Sequence, residues 1–144
     1  EQLQVDVTDC TTALSAPMQT ATRTDSRLSV GLTYNEYAEA TERLSVQMGM
    51  LGPLPAICDG PVSALNALLD THIEAHSIWM DCYDDYSCLF EDIDWEMQPL
   101  WIKSERQTAQ AQDAIESLGQ DATEAEADAE EQEAEADKAE EAIA

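Results

Sequence analysis

Basic residues are scarce in this chain. Six lysines and arginines stand against 31 aspartates and glutamates, and the formal net charge is −25 at pH 7. Residues 120–144 hold 11 of the acids and one base, Lys138, so the other 20 acids make the remainder of the chain acidic in its own right. A surface of this sign repels nucleic acid and anionic lipid headgroups and attracts cations or basic proteins. We therefore expect no nucleic-acid partner and favour a basic one.

Several sequence signatures of catalysis and cofactor binding are also missing. Only five glycines occur, and no glycine-rich phosphate loop is present. The chain contains no G-x-S-x-G, no H-E-x-x-H and no C-x-x-C, and no acidic run fits the ligand spacing of an EF-hand. An enzyme is therefore the least favoured class, and we expect no cofactor.

Long apolar runs are absent, and no stretch approaches 18 consecutive apolar residues, so we expect no membrane span. Four cysteines are present, an even number, and two disulfides in an exported protein explain them most economically. The first residue is Glu1 rather than Met, which is typical of a removed signal peptide and equally of a trimmed chain. We expect a secreted or extracytoplasmic location.

Apolar residues recur three or four positions apart in four segments, which is helical spacing. The expected helices cover residues 7–28, 33–51, 61–83 and 99–118. Pro17 is expected to kink or restart the first helix, and Thr33 with Glu36 forms a capping box for the second. Gly119 is expected to end the fourth helix.

The segment 84–97 is acidic and aromatic, and we expect a loop there with one short helical turn. The other connections are short enough to join antiparallel neighbours. The predicted fold is all-α: a disulfide-stapled, antiparallel four-helix bundle over residues 1–119, followed by an extended C-terminal helical tail over residues 120–144. The tail is rich in Ala and Glu, a composition that suits either a solvated helix or a disordered acidic extension, and we favour the helix. Its stripe of small residues fits a coiled-coil seam, or is simply the alanine left between the acids.

The bundle topology selects one of the three possible disulfide pairings. Cys10 near the start of the first helix and Cys58 in the second connection lie at the same end of an up-down bundle. Cys82 and Cys88 lie at the opposite end. We therefore predict the disulfides Cys10–Cys58 and Cys82–Cys88.

The only two histidines, His72 and His76, lie four residues apart on the third helix, and Met80 follows after four more. Side chains at this spacing share one helix face and can chelate a metal, with copper or zinc as the candidates. Both histidines point into the apolar arc of the helix. Hydrogen bonds to Tyr34, Tyr37 or Thr41 in the core are the favoured alternative to a metal.

The expected loop after the third helix offers a candidate partner surface. Trp95 is the tryptophan expected near the surface, because Trp79 and Trp101 lie on inner stripes. Its neighbours Asp92, Asp94 and Glu96 suit a basic partner, and exposed Trp is favoured as an interface anchor.

Two functional hypotheses result. The favoured one is a non-catalytic extracytoplasmic interaction or structural protein that presents an acidic surface to a basic protein partner or to cations, or that self-associates through its C-terminal helix. The alternative is a helical protein that binds copper or zinc through His72 and His76, with Met80 as a further candidate ligand.

Overall fold

The computed structural model describes residues 2–143. Within this range the chain forms four α-helices, one short 3₁₀ helix and no strand. The helices are α1 (Gln2–Val30), α2 (Tyr34–Gly49), α3 (Asp59–Asp84) and α4 (Phe90–Ile143), with the 3₁₀ turn at Ala56–Cys58. The fold class is all-α, as predicted.

The four helices form a bundle in which α1 and α3 each contact all three of the other helices. Helix α4 packs against α3 and α1, and α2 packs against α3 and α1 as well. Buried side chains form two groups. One group, around Leu14, Leu44 and Leu68, includes Cys10 and Cys58, whereas the other, around Tyr37 and Met97, includes Cys82.

The disulfides join Cys10 to Cys58 and Cys82 to Cys88. This is the predicted pairing. The first, which we call the long-range disulfide, connects α1 to the 3₁₀ turn before α3 across 48 residues of sequence. The second, the short-range disulfide, spans six residues and closes the connection between α3 and α4.

The turn between α1 and α2 follows the sequence pattern. Gly31 ends α1 with φ of 132°, a conformation that side chains with a Cβ rarely adopt, and its N–H donates to the carbonyl of Arg27. The capping box at α2 is present: Thr33 Oγ1 accepts from the N–H of Glu36, and the Glu36 carboxylate accepts from the N–H of Thr33.

Helix α1 is longer than the predicted segment 7–28, and it does not restart at Pro17. The helix begins at Gln2 and passes through Pro17 without a break. A proline inside a helix removes one hydrogen bond and costs roughly 3 kcal/mol. Here the ring is buried among the helices, and the apolar residues Leu14 and Ala21 continue the inner face on both sides of it. Packing of this face offsets the local cost.

The start and the end of α4 also differ from the prediction. The segment 84–97 is mostly helical, and only residues 85–89 connect α3 to α4. Ile93 and Met97 are buried one helical turn apart, so this stretch has an inner face that holds it against α3. The predicted helix end at Gly119 is likewise wrong, because α4 continues to Ile143 and buries Leu118 and Ala122 on either side of that glycine.

Candidate functional site

The histidines of α3 lie beside the aromatic residues of α2. His72 is 1% exposed, and its Nδ1 lies 2.7 Å from the hydroxyl oxygen of Tyr37. This is one of the core hydrogen bonds that the sequence predicts. Burial lowers the pKa of His72 to about 4, so the imidazole is neutral at pH 7.

Tyr37 is fully buried, and its hydroxyl is neutral as well. Burial raises the pKa of Tyr37 above its usual value, and the carboxylate of Asp25 raises it further, whereas the indole of Trp101 opposes the shift. Burial raises the pKa of Asp25 in turn. The nearby hydroxyls of Thr108 and Ser104 oppose that rise, and Ser104 donates a hydrogen bond to the carboxylate. The pair of Tyr37 and His72 is therefore an uncharged contact between α2 and α3.

His76 is half-buried and contacts Tyr34 through its ring. The two ring centroids are 5.4 Å apart with nearly parallel planes, and Tyr34 also stacks on Tyr83 at 4.3 Å. The Nε2 atoms of both histidines are buried, and neither has a hydrogen-bond partner within residues 2–143. Two imidazole nitrogens thus remain available inside the bundle.

These side chains belong to one larger aromatic cluster. Its members come from α2, α3 and α4, and their rings pack in stacked, tilted and edge-to-face pairs with centroids 4.3–6.5 Å apart. The members are Tyr34, Tyr37, His72, His76, Trp79, Tyr83, Phe90 and Trp101. The cluster fixes α2 and α3 against the first turns of α4.

The third predicted metal ligand, Met80, is 38% exposed and so lies further out than the two histidine rings. In the part of the chain that the structure describes, no group of three or more His, Cys, Asp and Glu side chains is arranged to hold a metal ion. A metal on His72 and His76 would therefore need a thioether, a phenol or an external molecule to complete its ligand set.

The connection between α3 and α4 is held by the short-range disulfide and by local hydrogen bonds. The carboxylate of Asp85 accepts from the N–H and the hydroxyl of Ser87, and these bonds lower the pKa of Asp85. The carboxylate of Asp92 accepts from the N–H of Leu89 and closes the first turn of α4. The backbone of this connection is therefore well constrained.

Around this connection lies the candidate partner surface, which we call the acidic turn surface. Its apolar members are Tyr86, Leu89 and Trp95, and Trp95 is 72% exposed, as the sequence predicts. The indole N–H of Trp95 donates to the backbone carbonyl of Asp92. The acidic members are Asp84, Asp85, Glu91, Asp92, Asp94 and Glu96.

Leu89 is the member of this surface that the sequence pattern does not single out. It is 62% exposed, although leucine is among the residue types most often buried. The signal that could identify it is its position between Cys88 and the first turn of α4, in a short connection outside both helices.

The end of α4 is a second exposed region. Residues 127–143 are exposed throughout, whereas Ala122 is buried and Glu126 accepts a hydrogen bond from Gln4 near the start of α1. The tail is thus helical, and its first turns contact the bundle. Within residues 2–143, no helix combines the length and apolar character needed to cross a membrane.

Comparison with known proteins gives no relative: no protein-family model, curated protein or solved structure matches the chain. The candidate sites are therefore interpreted from their own geometry and charge.

Proposed function

We propose that this protein is a non-catalytic, extracytoplasmic interaction protein that binds a basic protein partner through the acidic turn surface. The observation that carries this proposal is the exposure of Tyr86 and Leu89 on a disulfide-closed connection and of Trp95 on the first turns of α4 that follow it. Large apolar side chains at the surface are costly to leave in water, and aromatic residues dominate binding energy at interfaces.

Charge selects the class of partner. Six carboxylates lie in the same stretch of sequence as these apolar residues, within residues 84–96, and the whole chain carries a net charge of −25. A field of this sign accelerates encounter with positively charged surfaces and opposes approach of acidic ones. An amphipathic surface that combines lysine or arginine with an apolar pocket for Trp95 is complementary to this region.

The constrained backbone supports the same proposal. The short-range disulfide and the hydrogen bonds of Asp85 and Asp92 hold the acidic turn surface in one conformation before binding. Preorganisation lowers the entropy lost on association. Two disulfides also suggest an oxidising, extracytoplasmic compartment. We therefore include in the proposal that the protein is secreted and that its bundle is antiparallel.

The test uses the full chain immobilised as bait against the extracytoplasmic proteins of its source. We expect recovery of a basic protein whose dissociation constant, measured directly with the purified partner, rises at least tenfold (about 1.4 kcal/mol) for Trp95→Ala. Ile102→Ala is the matched control, because Ile102 is 55% exposed on the same helix outside the acidic turn surface. Equal affinity of both variants, or recovery of acidic partners only, contradicts the proposal.

The exposed end of α4 is a second candidate interface, through which two copies of the chain would self-associate. The 11 carboxylates of residues 120–144 oppose a parallel or antiparallel pair of identical helices at low salt. A basic helix is the better complement to this segment, so self-association ranks below binding of a basic partner.

A second candidate function is binding of copper or zinc by His72 and His76. The observation that favours it is the pair of buried Nε2 atoms without partners. The hydroxyl of Tyr37 beside Nδ1 of His72 is the kind of neighbour that fixes the tautomer and orientation of a metal-bound imidazole. Met80 can supply a thioether, which suits copper in its reduced form.

Metal analysis of protein purified without a His-tag separates the two functions. Copper or zinc near one equivalent in the native protein, lost in the His72→Gln and His76→Gln variants, supports a metal site. Less than about a tenth of an equivalent after equilibration with each metal excludes a site of useful affinity.

A further inference from the structure

The few basic residues of this chain are unevenly placed. Six lysines and arginines occur in the sequence, and three of them line a single cavity of about 290 Å³ between α1 and α2. The polar lining consists of Arg23, Arg27, Arg43, Gln19, Gln47, Thr20 and Thr24. In a protein with 31 acidic side chains, three guanidinium groups around one cavity form a local concentration of positive charge.

Two of these three charges are not neutralised. Arg27 forms an ion pair with Glu36, which also belongs to the capping box of α2. Arg23 and Arg43 form no ion pair within the described residues 2–143. Both side chains are exposed, so their guanidinium groups at the cavity are open to an anion from solution.

The lining of the cavity also includes a polar atom without a hydrogen-bond partner. The Oε1 atom of Gln47 is buried and has no hydrogen-bond partner in the described part of the molecule. Rotation of the terminal amide exchanges its oxygen and nitrogen, so Gln47 can direct N–H donors into the same space. Thr20 and Thr24 contribute hydroxyl groups, and Leu32 and Ala40 provide apolar wall.

We propose that this cavity is a binding site for a small anionic molecule that carries carboxylate or phosphate groups. Arg23 and Arg43 contact its oxygens, and the guanidinium fork matches the planar pair of oxygens on either group. The amide of Gln47 donates a further hydrogen bond from the cavity lining. The ligand gives Arg23 and Arg43 the counter-charge that the chain does not provide.

Size and charge favour a small molecule over an acidic segment of another copy. A helix with its side chains is about 10 Å across, which a cavity of about 290 Å³ does not admit. Two chains of charge −25 also repel each other at long range, whereas a small anion carries little charge to oppose. Ligand cavities start at about 300 Å³, so a compact molecule the size of a tricarboxylate or a phosphate monoester fits.

The test titrates the full chain with citrate and, separately, with inorganic phosphate, at an ionic strength held constant with sodium chloride. Isothermal titration calorimetry measures the dissociation constant. We expect saturable binding of at least one probe to one site, weakened at least tenfold in the Arg23→Gln/Arg43→Gln variant. Tighter citrate binding indicates a polycarboxylate ligand, and tighter phosphate binding indicates a phosphate ester.

The matched control is Lys103→Gln/Arg106→Gln, which removes the same charge from α4 at residues that do not line the cavity. We expect its dissociation constant to stay within about twofold of the wild-type value. Arg27 is left unchanged because it supports Glu36 at the start of α2. Circular dichroism without ligand confirms that both variants keep their helix content.

Three results overturn the proposal. The first is the absence of saturable binding of either probe at constant ionic strength. The second is equal weakening in the cavity variant and the control variant, which would show a general effect of net charge. The third is concentration-dependent self-association of the wild type that only the cavity variant loses, which would assign the arginines to contact with another copy.

Discussion

Protonation of His72 should couple the stability of this fold to pH. The ring is 1% exposed, and burial lowers its pKa from the ordinary value of 6.5 to about 4. In the unfolded chain the ring takes up a proton near pH 6.5, whereas in the fold it does so only near pH 4. The stability that the neutral ring contributes is therefore complete above pH 6.5 and is lost as pH falls from 6.5 towards 4.

The size of the effect follows from the two pKa values. At about 1.4 kcal/mol per pH unit, the free energy of unfolding should drop by about 3 kcal/mol between pH 7 and pH 4 through this residue alone. The carboxylates titrate over the same range and change the repulsion within the acidic surface. His72→Gln removes the imidazole but leaves the carboxylates, so the difference between wild type and variant isolates the histidine.

Urea unfolding at pH 7 and pH 4, followed by circular dichroism with the disulfides intact, measures this difference. We expect the wild type to lose about 3 kcal/mol more than His72→Gln on acidification. Tyr37→Phe is the companion variant: loss of its hydroxyl leaves Nδ1 of His72 without a partner and should cost about 1–3 kcal/mol at pH 7. Because burial is the cause of the lowered pKa, this variant should keep the pH dependence.

The reasoning is refuted if wild type and His72→Gln show the same change in the free energy of unfolding between the two pH values. It is also refuted if Tyr37→Phe removes the pH dependence, because the hydroxyl rather than burial would then control the protonation of the ring.

Three further predictions follow from the packing and the charge. Replacement of Cys10 and Cys58 by alanine should lower the free energy of unfolding in urea by about 4 kcal/mol. Replacement of Cys82 and Cys88 should lower it by about 2 kcal/mol, because that disulfide closes a shorter loop. Equal losses would contradict this prediction. Ala122→Glu should cost more than about 2 kcal/mol because Ala122 is fully buried, whereas Ala125→Glu on the exposed side should stay within about 0.5 kcal/mol. The melting temperature should rise between low salt and 1 M sodium chloride, where a Debye length of about 3 Å screens the repulsion among carboxylates; a flat or falling curve would show that the charges are balanced locally.

Sequence patterns predict the features of this fold that depend on local chemistry. The capping box of Thr33 and Glu36 needs only the spacing of two residues, and the structure contains it. Prediction of the disulfide pairing requires only the number of helices and the end of the bundle at which each cysteine lies. The burial of His72 is set by its place on the apolar arc of α3.

The features that the sequence misses depend on contacts between distant segments. Pro17 and Pro99 each destabilise the helix that contains them, because proline removes a backbone hydrogen bond. Burial of residues such as Ile93 and Met97 against other helices offsets this loss. The hydrogen bond between Tyr37 and His72 was one of three alternatives, and only the relative rotation of α2 and α3 selects it. The sequence does not reveal the arginine cavity either, because its residues come from two helices whose relative position depends on packing.

The length of α4 also affects how the molecule moves through solution. At a rise of about 1.5 Å per residue, its 54 residues amount to about 80 Å of helix, against about 45 Å for α1. The helix therefore extends well beyond the bundle, and the friction of a particle rises with its longest dimension. On a gel-filtration column this chain should elute ahead of compact standards of its own mass, at a position that resembles a dimer, even when sedimentation equilibrium reports a single chain.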